Sequence, residues 1–191
     1  SEEKKYDLVF PYMRRFDYAF FVNPEINNTF LIGGVGFAYP KFYVNTYENA
    51  EITVSEINTD VISVAFQYFG LHDLSEDETK RMHIVNEDGI DFLRESNKKF
   101  DLIINDAFTG KKEQRRDEES IQIIHDALHE KGIYIVNVPT ALSGPFAKKG
   151  NAFRKLLQNH FKHTVLLATQ EEKQPFEKQN VLMISSDSEL L

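Results

Sequence analysis

An apolar run that breaks into closely spaced glycines, Thr29-Phe30-Leu31-Ile32-Gly33-Gly34-Val35-Gly36, constrains this chain more than any other feature. A short continuous apolar run reads as a parallel strand buried on both faces. Glycines directly after it let the backbone turn sharply and approach a ligand closely. Roughly 20 positions further on, a second apolar run ends in Ser55-Glu56, where a carboxylate can accept both hydroxyls of a ribose. A dinucleotide fingerprint also needs a small residue three places after the second glycine of the motif, where helix packs on strand, and that place holds Tyr39. NAD is therefore disfavoured, and a mononucleoside such as S-adenosylmethionine is the expected ligand.

From Thr29 to Ala168 apolar runs alternate with amphipathic segments, the pattern of a parallel sheet covered by helices on both faces. Strands are predicted at 29–32, 51–56, 82–86, 100–105, 132–138, 163–169 and 180–185. Helices are predicted at 37–47, 59–69, 89–96, 119–130 and 147–161. The last two strands follow each other across the polar stretch 170–178 without a helix, so they are expected to form an antiparallel pair. The resulting fold class is α/β: a doubly wound, seven-stranded, mostly parallel sheet ending in an antiparallel pair, a Rossmann-like layout of the Class I methyltransferase type. Ahead of it, residues 7–21 carry Leu8, Tyr12, Met13, Phe16, Ala19 and Phe20 and are predicted to form a helix, ended by Asn23-Pro24. Residues 1–28 thus read as a helical extension of one domain spanning 1–191.

A formal charge of −8 argues against a nucleic-acid partner, because neutralising several phosphates requires gathered Lys and Arg. The absence of cysteine removes disulfides, thiolate metal sites and a cysteine nucleophile. No apolar run approaches the length of a membrane span and no signal peptide is seen, so the expectation is a cytoplasmic protein with no membrane association. His125 and His129 stand four apart but lack the pattern of a zinc-binding helix, so no metal site is expected.

Ligands of open α/β sheets lie over the carboxyl ends of the strands. Candidate cofactor-binding residues at those ends are Gly33, Gly34 and Gly36 for the amino-acid part of the cofactor and Glu56 for the ribose. Asp88, with Gly89 after it, would serve the adenine amine, and Ile57 would cover the ring. Asp106 at the fourth strand end would face the sulfonium and the incoming nucleophile, as cofactor contact and catalytic acid. Asp88 has a second reading as a helix N-cap. Phe10, Tyr12, Phe37, Tyr39, Phe108 and Phe176 are candidates either for the core or for an aromatic acceptor pocket. The polar stretch 110–119 is read as a solvated loop or as a lid.

Leu31-Ile32-Gly33-Gly34, Ser55-Glu56-Ile57 with Asp60-Val61-Ile62, residues 87–92, residues 100–106 and residues 127–132 resemble the successive blocks of spermidine synthases. The resemblance runs from about residue 6 to residue 186. It implies a cleft for S-adenosylmethionine or its decarboxylated form, with Glu56, Asp88 and Asp106 matching the family's ribose, adenine and catalytic acids. The departures lie on the acceptor side. The aspartate of the family's glycine loop corresponds to Gly36, and its Asp-x-x-Asp becomes Asp106-Ala107-Phe108-Thr109. Its Tyr-His-Glu becomes Phe10-Pro11-Tyr12, and its N-terminal β-hairpin domain is expected to be absent. Because an alkylamine acceptor arrives protonated, with a reference pKa near about 10, the loss of acids favours methyl transfer to a small-molecule acceptor. Aminopropyl transfer from decarboxylated S-adenosylmethionine is the alternative, and a non-catalytic nucleoside-binding module a further one. The resembled family commonly dimerises, whereas the expected loss of the N-terminal hairpin removes one contact, so a homodimer and a monomer both stay open.

Overall fold

Parallel strands must be linked by crossovers, and this chain supplies them in regular order. The strands are β1 (Asn28–Ile32), β2 (Glu51–Ser55), β3 (Met82–Val85), β4 (Phe100–Asn105), β5 (Leu128–Thr140), β6 (His163–Ala168) and β7 (Gln179–Ser186). The helices are α1 (Tyr18–Val22), α2 (Ala38–Thr46), α3 (Thr59–Tyr68), α4 (Glu76–Arg81), α5 (Gly89–Glu95), α6 (Glu118–Asp126) and α7 (Lys148–His160). The computed structural model describes residues 6–8, 10–107 and 116–190. The strands form one sheet in the order β3-β2-β1-β4-β5-β7-β6. The first five are mutually parallel, and β7 runs antiparallel between β5 and β6. This is the expected fold class.

Successive side chains of a strand point to opposite faces, and the central strands are apolar on both. Leu31, Ile52, Val54, Leu102, Ile104, Ile133 and Ile135 pack on one face with α2, Ala65 of α3 and the N-terminal segment. Phe30, Ile32, Ile103, Tyr134 and Val136 pack on the other with Ile90 and Leu93 of α5, Ile121 and Ile124 of α6, and Leu157 of α7. Two core layers therefore clamp the sheet and hold the carboxyl ends of β1, β2, β3 and β4 side by side. Among the described residues no helix is long and apolar enough to cross a membrane.

Three local expectations are corrected. Residues 7–21 do not form one α-helix: a 3-10 helix over Pro11–Asp17 leads into the five-residue α1. Within the 3-10 helix the buried Met13 and Phe16 stand three positions apart, which its three-fold period aligns on one face. Helix α6 stops at Asp126 and β5 begins at Leu128, four residues earlier than expected, because Phe100 pairs with Leu128 before the register jumps and Leu102 pairs with Ile133. His125 and His129 consequently do not share a helix. Helix α4 was not expected at all, although Ser75 and Glu78 form a reciprocal capping box at its start.

Arg81 anchors α4 to the end of α2. Its guanidinium donates to the carbonyls of Val44 at 2.7 Å and Tyr47 at 2.9 Å, and its Nε to Asp77 at 3.0 Å. The side chain is 13% exposed, so these carbonyls have little access to water as a substitute. Arg81→Ala is expected to cost about 2–3 kcal/mol in urea denaturation, the scale of charge-assisted hydrogen bonds; an unchanged midpoint would show that water replaces the guanidinium.

Candidate functional site

The parallel ladder extends one residue beyond the strands and draws the loops together. The N–H of Gly33 donates to Ser55 O at 2.8 Å, that of Glu56 to Val85 O at 3.0 Å, and that of Asp106 to Ile32 O at 3.0 Å. Gly33, Glu56 and Asp106, separated widely in sequence, are therefore neighbours across one edge of the sheet. Two cavities, of about 170 and 240 Å³, lie at the opposite edge around the start of β5 and the end of β7, away from this convergence.

Gly33 has φ +93°, and a Cβ there would stand 2.8 Å from the Ala107 Cα. Only a residue without a side chain lets the β1 loop lie directly on the backbone that follows Asp106. The Gly34 N–H donates to Glu56 Oε2 at 3.0 Å, and the Asn58 N–H donates to Glu56 Oε1 at 2.8 Å. The half-buried Glu56 carboxylate is thus fixed by two backbone donors, one from the glycine loop and one from its own loop. Gly36 has φ +65°, and Phe37 beside it is held in the left-handed region at φ 59° with its ring fully buried. Ile57, next to Glu56, is 66% exposed, an apolar side chain standing open beside the carboxylate.

Asp88 takes the capping geometry: its Oδ1 accepts from the N–H groups of Ile90 at 2.9 Å and Asp91 at 3.2 Å at the start of α5. Gly89 is a packing position, since a Cβ would meet Ile32 Cγ2 at 2.8 Å and Ser55 Oγ at 3.1 Å. It brings the N-terminus of α5 down onto the ends of β1 and β2. Of the aromatic candidates, Phe37 and Tyr39 are core residues, Phe10 stacks on Tyr12 with ring centroids 5.9 Å apart, and Phe176 is exposed. Phe108 and residues 110–115 of the expected lid lie outside the described residues; Glu118 and Glu119 open α6, capped by Asp117.

Asp106 is the most distinctive group. It is 2% exposed, its Oδ2 accepts from the Tyr12 hydroxyl at 3.0 Å, and its Oδ1 accepts from Asn137 Nδ2 at 3.0 Å. Burial raises its pKa from the ordinary carboxylate value to about 6, outweighing the two hydrogen bonds and the nearby Arg116 charge, which act in the other direction. Burial and the Asp106 charge push the Tyr12 hydroxyl well above its usual value, so it remains a donor. Arg116, just before α6, donates from Nη2 to the Asn137 backbone carbonyl at 2.9 Å and lies over the Phe153 ring at 5.4 Å.

Asn137 and Arg116 were not picked out from the sequence, and Tyr12 only as an aromatic. A polar residue within the apolar run 133–138 was the available signal for Asn137. For Arg116, inside a charged stretch, there was none.

A family model described as the spermine/spermidine synthase domain matches residues 18–143. The polyamine aminopropyltransferase of Lachnospira eligens is 34% identical over 117 residues, which cover 60% of this chain and 40% of that protein. The chain spans less than half the length of the curated relatives it matches. A probable spermidine synthase from Corynebacterium glutamicum superposes with a TM-score of 0.81 at 18% identity, covering 97% of this chain and 67% of that one. Human methyltransferase-like protein 13, solved in complex with SAH, superposes with a TM-score of 0.74 at 16% identity, covering 93% and 82%. These two likenesses concern the fold.

Two predictions follow from the geometry of Asp106. Gly33→Ala is expected to destabilise the chain by about 1–3 kcal/mol, through the positive φ and the contact with Ala107; a stability equal to the parent's would refute the close approach. The folded chain binds the Asp106 proton more tightly than the unfolded one, so stability is lost as pH rises from about 4 to about 6. Asp106→Asn removes that loss, and the Tyr12 hydroxyl can turn to accept from the new amide. Relative to the parent, the variant should gain on the order of 2–3 kcal/mol between pH 4 and pH 7. Parallel pH–stability curves for the two proteins would contradict the buried carboxylate.

Proposed function

Because this chain belongs to the spermine/spermidine synthase family, we propose that it is an aminopropyltransferase that uses decarboxylated S-adenosylmethionine and an amine acceptor. The observation that carries this reading is the buried carboxylate of Asp106, with its pKa raised to about 6, at the carboxyl end of β4. The name of the Lachnospira eligens relative supports the same reaction. This reading replaces the methyl transfer favoured by the sequence alone.

The residues present fit the nucleoside. Glu56, pre-oriented by the Gly34 and Asn58 N–H groups, suits a ribose diol, and the exposed Ile57 side chain suits one face of an adenine ring. Asp88 is assigned to the adenine amine beside its capping role, with Gly89 allowing α5 to approach. Gly33, Gly34 and Gly36 shape the wall on which the remainder of the molecule rests. The sulfonium supplies the leaving group.

In the reaction, the acceptor nitrogen bonds to the aminopropyl carbon attached to sulfur. The carbon–sulfur bond breaks with its electron pair on sulfur, releasing 5′-methylthioadenosine, and the proton leaving nitrogen passes to Asp106. A carboxyl near pH 6 is ionised at neutral pH yet accepts a proton more readily than an ordinary aspartate. Desolvation favours the neutral form of an amine brought beside it, against the pull of the carboxylate charge, and the neutral form is the nucleophile. Tyr12 and Asn137 hold the carboxylate while it works.

A second reading, methyl transfer from intact S-adenosylmethionine, is favoured by one observation. Gly36 and Thr109 stand where the resembled family has acids, leaving Asp106 to serve the acceptor. The fold likeness to a methyltransferase-like protein solved with SAH accords with it.

The aminopropyl reading is tested by release of methylthioadenosine. Asp106→Asn should lower kcat by about 100-fold or more, the contribution of a placed general base, with nucleoside affinity within about threefold of the parent. The parent rate should rise through pH 6 and level off above, as Asp106 ionises. Full activity in the variant would remove Asp106 from the mechanism. Glu56→Ala should weaken nucleoside binding by about 10- to 100-fold in calorimetric titration; undiminished affinity would overturn the ribose assignment.

A further inference from the structure

Beside Asp106 two buried polar atoms have no partner among the described residues: the Arg116 Nε and the Asn137 Oδ1. The ionised carboxylate of Asp106 fixes the Asn137 amide by accepting from Nδ2, so the atom left over is an acceptor. The Arg116 Nε is a donor on a planar cation already held by its Nη2 on the Asn137 carbonyl and by the Phe153 ring. Buried polar atoms are paired almost without exception in folded proteins, and a guanidinium donor is among the most costly to leave unpaired. An unpaired acceptor on Asn137 and an unpaired cationic donor on the arginine bound to its carbonyl suit a ligand that carries both an N–H and an anion.

We propose that the acceptor is an amine that also carries a carboxylate, of the amino-acid class, and that Arg116 is the residue that selects it. This rests on the aminopropyl-transfer reading above. The acceptor's carboxylate takes the Arg116 Nε–H in a charge-assisted hydrogen bond. Its amine donates to the Asn137 Oδ1 and presents the reacting proton to Asp106. The charges agree with this assignment, since a diamine would bring an uncompensated second ammonium toward Arg116, whereas an added carboxylate offsets that charge and the charge of Arg116.

Matched amines test the proposal: ornithine against 1,4-diaminobutane and lysine against 1,5-diaminopentane, each titrated into the protein saturated with 5′-methylthioadenosine. The carboxylated member of a pair should bind at least about tenfold more tightly, and Arg116→Gln should erase the difference. Arg116→Lys keeps the charge but loses the planar fork. It should weaken binding of the carboxylated amine by about threefold or more while the diamine is unaffected, and it carries the test if Arg116→Gln does not fold. Equal or tighter binding of the diamine, binding of neither member, or a preference that survives in a folded Arg116 variant each overturns the proposal. Release of methylthioadenosine on adding decarboxylated S-adenosylmethionine is read separately. Arg116-dependent binding of the carboxylated amine without that product upholds Arg116 as a carboxylate-selecting residue and overturns the aminopropyl reaction.

Discussion

A carboxylate taken out of water at the end of β4 is the constraint around which the rest of this site is arranged. Asp106 can remain there only because Tyr12 and Asn137 donate to it and Arg116 lies close enough to offset part of its charge. Desolvation still dominates, and the carboxyl is left with a proton affinity near neutrality. Each supporting group comes from a different element: the N-terminal 3-10 helix, β5 and the start of α6. The site therefore exists only when the N-terminal segment is docked and the sheet is complete. The burial that raises the proton affinity of Asp106 also costs stability at neutral pH.

The backbone places the other residues. Extending the parallel ladder past the strand ends fixes Gly33, Glu56 and Asp106 by hydrogen bonds no longer than 3.0 Å, so the glycine loop, the acid after β2 and the acid after β4 face one space. Gly33 and Gly89 serve this convergence by absence of bulk. One lets two loops touch, and the other lets α5 sit on β1 and β2. Among the described residues the convergence of Gly33, Glu56 and Asp106 is thus held by main-chain geometry, whereas the surroundings of Asp106 are built from side chains.

The seven strands and the acids at their ends were legible in the sequence because both follow from local pattern, apolar runs ending in a turn residue or an acid. Asp88 was readable in both its guises, and its capping contact is the one the geometry displays. The partners of Asp106 were not legible. Tyr12 lies 94 residues away from it and Asn137 31 residues away, and nothing local marks a tyrosine among other aromatics, or an arginine in a charged stretch, as members of one network. The 3-10 geometry of Pro11–Asp17 was hidden for a related reason, since Met13, Phe16 and Ala19 satisfy a three-residue spacing and the start of a helical one alike. The capping box before α4 is present in the letters, but the segment lacks the apolar face by which a helix is recognised.

The most direct measurement is a competition in one vessel. The protein is incubated with equal amounts of intact and decarboxylated S-adenosylmethionine and a mixture of amines, with and without a carboxylate, and the nucleoside products are identified by mass spectrometry. The account predicts 5′-methylthioadenosine together with one aminopropylated amine, both lost in Asp106→Asn. S-adenosylhomocysteine as the product, or neither nucleoside product from a folded protein that binds both sulfonium compounds, would contradict it.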